Sequence, residues 1–125
     1  MIAIILLLLA GILNACMDTL KTHYSKSIFS KWKNQNWVNP ALSWTNKWKS
    51  ESKLGDLIMS TILVWITDLW HLCKHLMLIC LMLTVIFYHP IVNWWIDFII
   101  LFCSFTIPFE IFYSKILLLR INKEN

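Results

Sequence analysis

The run from Leu57 to Tyr88 reads LIMSTILVWITDLWHLCKHLMLICLMLTVIFY. It lacks the apolar/polar alternation of a barrel strand. As a single helix it would reach roughly 50 Å, more than the hydrocarbon core of a bilayer at about 30 Å. In its first half Ser60, Thr67, Asp68, His71, Lys74 and His75 keep to about 120° of the helical circumference. In its second half, from Leu76 to Tyr88, only Thr84 interrupts the apolar residues before the terminal Tyr88. The spacing predicts a membrane helix that projects beyond the hydrocarbon at its N-terminal end, or bends there. Asp68, His71 and His75 fall within an arc of roughly 60° on it. Ionisable groups in such a helix are costly unless they face protein, water or a metal.

The rest of the chain belongs to the same class. Hydrophobic residues make up 58 % of the 125 residues and charged residues 14 %. Soluble domains carry about 45–50 % and about 25 %. The mean hydropathy is +0.63. Gly11 and Gly55 are the only glycines, too few for the turns of a barrel. The fold class is all-α and integral to a membrane. About three transmembrane helices are expected, spanning roughly 1–24, 57–88 and 91–119 of one domain, 1–125, with a basic, Trp-rich interfacial loop at about 25–56.

In the first span no Lys or Arg precedes Lys21, so a retained signal-anchor helix is expected rather than a cleaved leader. Leu13-Asn14-Ala15-Cys16 leaves processing at Cys16 open. Gly11, Asn14, Asp18, Lys21 and Ser25 line one side of this span. Over the stretch from Lys21 to Lys53, Lys21, Lys26, Lys31, Lys33, Lys47, Lys49 and Lys53 stand against a single acid, Glu51, with Trp32, Trp37, Trp44 and Trp48 between them. Lysine beside tryptophan suits the headgroup layer and anionic lipid. Ser43 to Lys49 has the spacing of a short helix lying on that surface. The same residues could meet the phosphates and bases of a nucleic acid, a partner disfavoured in a chain this apolar. His89-Pro90 ends the long central run. Ile91 to Leu119 makes the last span, in which Pro108 is expected to introduce a kink. Trp94 and Trp95 read as an aromatic belt.

Basic loops stay on the cytoplasmic side. In a multi-pass protein of the cytoplasmic (inner) membrane, this puts the loop and the C-terminus, with Lys115, Arg120 and Lys123, on the cytoplasmic side and the N-terminus outside. Counting rise per residue along the three spans, Asp18, Asp68, His75 and Glu110 lie about 21–31 Å below the outer face. His23 and His71 lie near the same level. Cys16, Cys73, Cys80 and Cys103 sit in apolar segments without a CxxC, and read as buried small hydrophobes.

His71 and His75 form an HxxxH pair one turn apart, the spacing at which two imidazoles share a metal ion. Asp68 adds a carboxylate on the same face. The candidate metal ligands are therefore Asp68, His71 and His75, with Asp18, His23 and Glu110 as candidate catalytic groups from neighbouring helices. Helical bundles build metal sites this way. Zinc there would polarise a water for hydrolysis, and iron would support oxidative chemistry. The structural alternative is that Asp68 pairs with His71 or Lys74, and Asp18 with Lys21. No GxSxG, P-loop, GxGxxG or CxxC motif is present, which leaves nucleotide binding and the serine-hydrolase elbow without support.

The HxxxH pair resembles part of the histidine boxes of membrane desaturases and hydroxylases, although this chain has four histidines in all. With Asp68 it is also similar to the motif of alkaline ceramidase-like membrane hydrolases, which are larger proteins. Asn14-Ala15-Cys16-Met17-Asp18, Ser43-Trp44-Thr45-Asn46-Lys47-Trp48 and Thr67-Asp68-Leu69-Trp70-His71 resemble signatures of small, uncharacterised multi-pass membrane proteins of bacteria and their phages. That resemblance implies no activity. Two functions are therefore expected in competition. One is a metal-assisted hydrolase acting on a lipid-like substrate, with the His/carboxylate site at the cytoplasmic headgroup level. The other is a non-enzymatic anchor or pore-forming, holin-like protein that forms a homo-oligomer. A weaker third is an assembly subunit whose basic loop docks a cytoplasmic partner.

Overall fold

The computed structural model describes residues 1–119. Arg120 and Lys123, invoked above for the orientation of the C-terminus, lie outside the described residues. The described chain is helical, and its only extended pairing is an isolated antiparallel bridge between Ser27 and Leu118.

Six α-helices follow one another. They are α1 (Ile2–Thr22), α2 (Gln35–Val38), α3 (Pro40–Ser43), α4 (Lys53–Thr61), α5 (Leu69–Phe87) and α6 (Trp94–Ile111), the last continued by a π-helical stretch, Phe112–Leu117. Short 3-10 turns join the smaller pieces. Three helices are long and apolar enough to cross a membrane: α1, α5, and α6 with its extension.

α1 is the central helix, and both α5 and α6 pack on it. Its sequence explains why. Ala3, Ala10, Gly11 and Ala15 are buried, and small residues let helix backbones approach closely where no water is available to be expelled. Gly11 marks the closest approach: a Cβ there would run into the carbonyl oxygen of Phe105 on α6 and meet the Pro108 ring. Pro108 is buried inside α6. Proline offers no N–H to the carbonyl one turn back, and four residues later the helix widens into its π-helical end. The expected polar side of α1 is only partly covered. Asn14 and Asp18 are half-buried and Lys21 is exposed.

The central run is not one helix. α4 ends at Thr61, a 3-10 turn covers Val64–Ile66, and Asp68 takes an extended conformation before α5 begins. The expected bend is a full break. The remaining helix, α5, has 19 residues, or about 28 Å.

The loop between α1 and α4 is folded rather than loose. Phe29 and Val38 are buried in a cluster with Ala15, Met17 and Leu20 of α1, Leu69 and Cys73 of α5, and Leu117. This places the end of α1, the start of α5 and the end of α6 at one end of the bundle. Polar ties hold the loop there. Trp37 Nε1 donates to the Ile66 carbonyl at 3.1 Å. Asn46 Nδ2 donates to the carbonyls of Asn36 and Thr67, each at 2.8 Å. Leu119 N donates to the Lys26 carbonyl at 2.8 Å, and the Tyr24 hydroxyl donates to Gln35. Burying one such aromatic ring contributes about 1.5–3 kcal/mol.

Candidate functional site

The site is built on the first turn of α5. A helix start leaves backbone N–H groups without partners, and Asp68 supplies one. Its Oδ1 accepts from the backbone N–H of His71 at 2.9 Å. Its Oδ2 faces His71 Nδ1 at 2.6 Å and accepts the Thr67 hydroxyl at 3.2 Å. Asp68 is 4 % exposed. With a carboxylate at Nδ1, the imidazole keeps its proton there and presents Nε2 as the basic nitrogen. The Trp70 ring stands edge-on to His71, with centroids 5.0 Å apart.

Asp68 and His71 face a cleft of about 360 Å³ whose other walls are Lys21, Pro40, Ser43, Trp44 and Trp70. Lys21 comes from the end of α1, Pro40 and Ser43 from α3, and Trp44 follows directly. The walls are mainly apolar, with the ammonium, the imidazole and a serine hydroxyl among them. Such a composition suits a molecule with an apolar body and a polar head.

The remaining candidates do not join this centre. His75 lies one turn further along α5, and its Nδ1 contacts the His71 carbonyl at 2.8 Å. Asp18 is half-buried on α1, where its backbone carbonyl accepts the Thr22 hydroxyl. His23 follows α1 and stacks at a tilt on Tyr113, centroids 5.7 Å apart. Glu110 is exposed on α6. Lys74 lies over the Trp70 ring at 5.2 Å rather than on Asp68. Among the described residues, the one acid–base side-chain contact at ion-pair distance is that of Asp68 with His71.

The structure gives the expected metal centre no support: among the described residues no three of His, Cys, Asp or Glu are grouped to hold a metal ion. Asp68 caps the helix with one oxygen and faces His71 Nδ1 with the other, and His75 Nδ1 meets a backbone carbonyl.

Two features escaped the sequence reading. One is the set of walls contributed by Lys21, Pro40, Ser43 and Trp44, which only the folding of the loop brings to Asp68. The other is Asp97, 1 % exposed, which organises the turn before α6. A signal for Asp97 was present: an acid in the first turn of a helix that Asn93 caps, after a His-Pro turn.

Comparison of the chain with models of protein families, with curated proteins and with solved structures finds no match in any of the three. Any functional reading therefore rests on the residues themselves.

Proposed function

We propose that this is a membrane-embedded protein whose cleft takes the polar head of a lipid-like molecule, and that Asp68 and His71 act there as a base pair for hydrolysis. The observation that carries this is the 2.6 Å contact between His71 Nδ1 and Asp68 Oδ2 at the wall of a mainly apolar cleft. His71 Nε2 would take a proton from water as the water oxygen attacks an ester carbonyl or phosphoryl centre. Asp68 would stabilise the imidazolium that forms, and His71 would return the proton to the departing alkoxide. The Lys21 ammonium suits an anionic headgroup or the oxyanion that develops. The lysines and tryptophans of the loop would hold the protein's rim against anionic headgroups.

The test uses purified protein in vesicles with fluorogenic lipid esters and phosphodiesters. Turnover that falls at least about 100-fold in His71→Ala supports the reading, in line with the usual contribution of a general base. Turnover unchanged in His71→Ala, or none on any substrate, removes hydrolysis. Metal analysis of the same preparation addresses zinc and iron directly.

A second reading has its own observation. Only 6 % of the most apolar stretch of α6 is buried, and α5 and α6 both pack on α1 rather than on each other. Further copies of the chain would cover α6 and build an oligomeric anchor or pore. Dye leakage from vesicles that persists in His71→Ala would favour it.

A further inference from the structure

The segment ahead of Asp68 was expected to project beyond the hydrocarbon or to bend, and α5 alone is long enough to cross a membrane. α4 is thus free for another task. It is a well-formed helix of nine residues. Ser52 caps it by accepting from Gly55 N at 3.0 Å, and Asp56 Oδ1 accepts from Ser50 N at 3.0 Å. A Cβ at Gly55 would displace the Ser50 side chain.

None of the α4 residues is buried, and most of its apolar side chains lie on one side. Leu54, Leu57, Ile58 and the capping Ile62 fall within about 140°, with Thr61 among them and Met59 about 60° beyond, while Lys53, Asp56 and Ser60 fall within about 60° elsewhere. Leu54 is 66 %, Leu57 57 % and Ile62 69 % exposed. Trp44, Trp48 and Trp65 are also exposed, and Lys47 Nζ lies 5.6 Å from the Trp48 ring centre. An apolar stripe bordered by tryptophan and lysine matches the boundary between acyl chains and anionic headgroups. The turn after α4 leads through Thr67 and Asp68 into α5, and α5 exposes Leu76 and Ile79 further along.

We infer that α4, bordered by Trp48 and Trp65, is an in-plane foot that lies in the headgroup–acyl boundary of an anionic bilayer. It rests on the membrane reading above but not on hydrolysis. The foot sets the height of the Asp68–His71 cleft relative to the lipid headgroups.

The experiment places benzoylphenylalanine singly at Leu57, Ile62, Ser60 or Ile79 of the full chain. Each protein is reconstituted in vesicles of phosphatidylglycerol and phosphatidylcholine, irradiated and weighed by mass spectrometry. The expected result is lipid adducts at Leu57 and Ile62 at least about fivefold above Ser60, with adducts at Ile79. Adducts at Ile79 but none at Leu57 and Ile62 overturn the foot while leaving the spans intact. Equal yields at Leu57, Ile62 and Ser60 also overturn it, because α4 would then have no lipid side. Crosslinks from Leu57 to a second chain overturn it in favour of contact between copies. Absence of adducts at Ile79 as well overturns the membrane reading on which it stands.

Discussion

The Tyr88 hydroxyl donates to Asp97 Oδ2 at 2.7 Å, across the turn that joins α5 to α6. The same carboxylate accepts the backbone N–H of Ile91 at 2.9 Å and of Val92 at 3.1 Å. Asn93 caps α6 beside it, accepting from Ile96 N at 3.1 Å. Backbone donors in a turn beside apolar helices need partners, and one buried acid supplies two. Asp97→Ala is expected to lower the thermal midpoint in detergent and to raise hydrogen exchange at Ile91 and Val92. Tyr88→Phe should have a smaller effect, because both backbone bonds survive. Equal midpoints for wild type and Asp97→Ala would show that the turn holds without the carboxylate.

At the α1–α6 crossing, Gly11 leaves no room for a side chain against the Phe105 carbonyl. Gly11→Val should destabilise the protein by about 1–3 kcal/mol, the usual range for overpacking. Gly55→Ala meets only the side chains of Ser50 and Ser52 and should cost less. Thermal unfolding of both variants in one detergent gives the comparison. A Gly11→Val midpoint at or above that of Gly55→Ala would contradict the crossing.

Asp68 has two jobs that a conservative change separates. Asp68→Ala removes a helix cap, for which about 0.5–2 kcal/mol is usual, and also frees His71. Asp68→Asn keeps an oxygen for the His71 backbone N–H but gives the imidazole a weaker partner. The Asn variant is therefore expected to retain most of the stability while losing the Nδ1-protonated preference of His71. Nitrogen NMR of the labelled imidazole reads that preference. An unchanged tautomer in both variants would show that Asp68 does not orient the ring.

Cys16 on α1 packs against the core cluster that holds Cys73 of α5. Copper-phenanthroline oxidation should remove two electrons and two protons from the pair and leave an intramolecular disulfide, two hydrogens lighter. Cys16→Ser should abolish it, and Cys80 and Cys103 should remain open to alkylation. Full alkylation of Cys16 and Cys73 after oxidation would contradict the pairing of α1 with α5.

Much of this molecule was legible along the chain. The apolar runs beginning at Ile2 and Ile91, and the stop at His89-Pro90, mark three helices long enough to cross a membrane. Hydropathy and run length are local properties, so they survive without knowledge of neighbours. The Asp68–His71 pairing was also legible as a three-residue spacing, with Lys74 as its rival. Less legible was the rank of competing local structures. Thr67-Asp68 sits in an unbroken apolar run, where periodicity extends the helix and capping ends it; capping prevails here because the folded loop binds the carbonyls of Ile66 and Thr67 through Trp37 and Asn46.

By itself, then, the sequence determined the helical class and the three long apolar segments, and it left the partner of Asp68 open between His71 and Lys74. Only the tertiary structure decided that α4 turns away from α5, that His75, Asp18 and Glu110 stay apart from the Asp68–His71 pair, and that Pro40, Ser43 and Trp44 wall its cleft. The physical reason is range. Helix formation and hydropathy act over a few residues, whereas the cleft depends on Phe29 and Val38 packing beneath residues far away in the chain, which no local periodicity encodes.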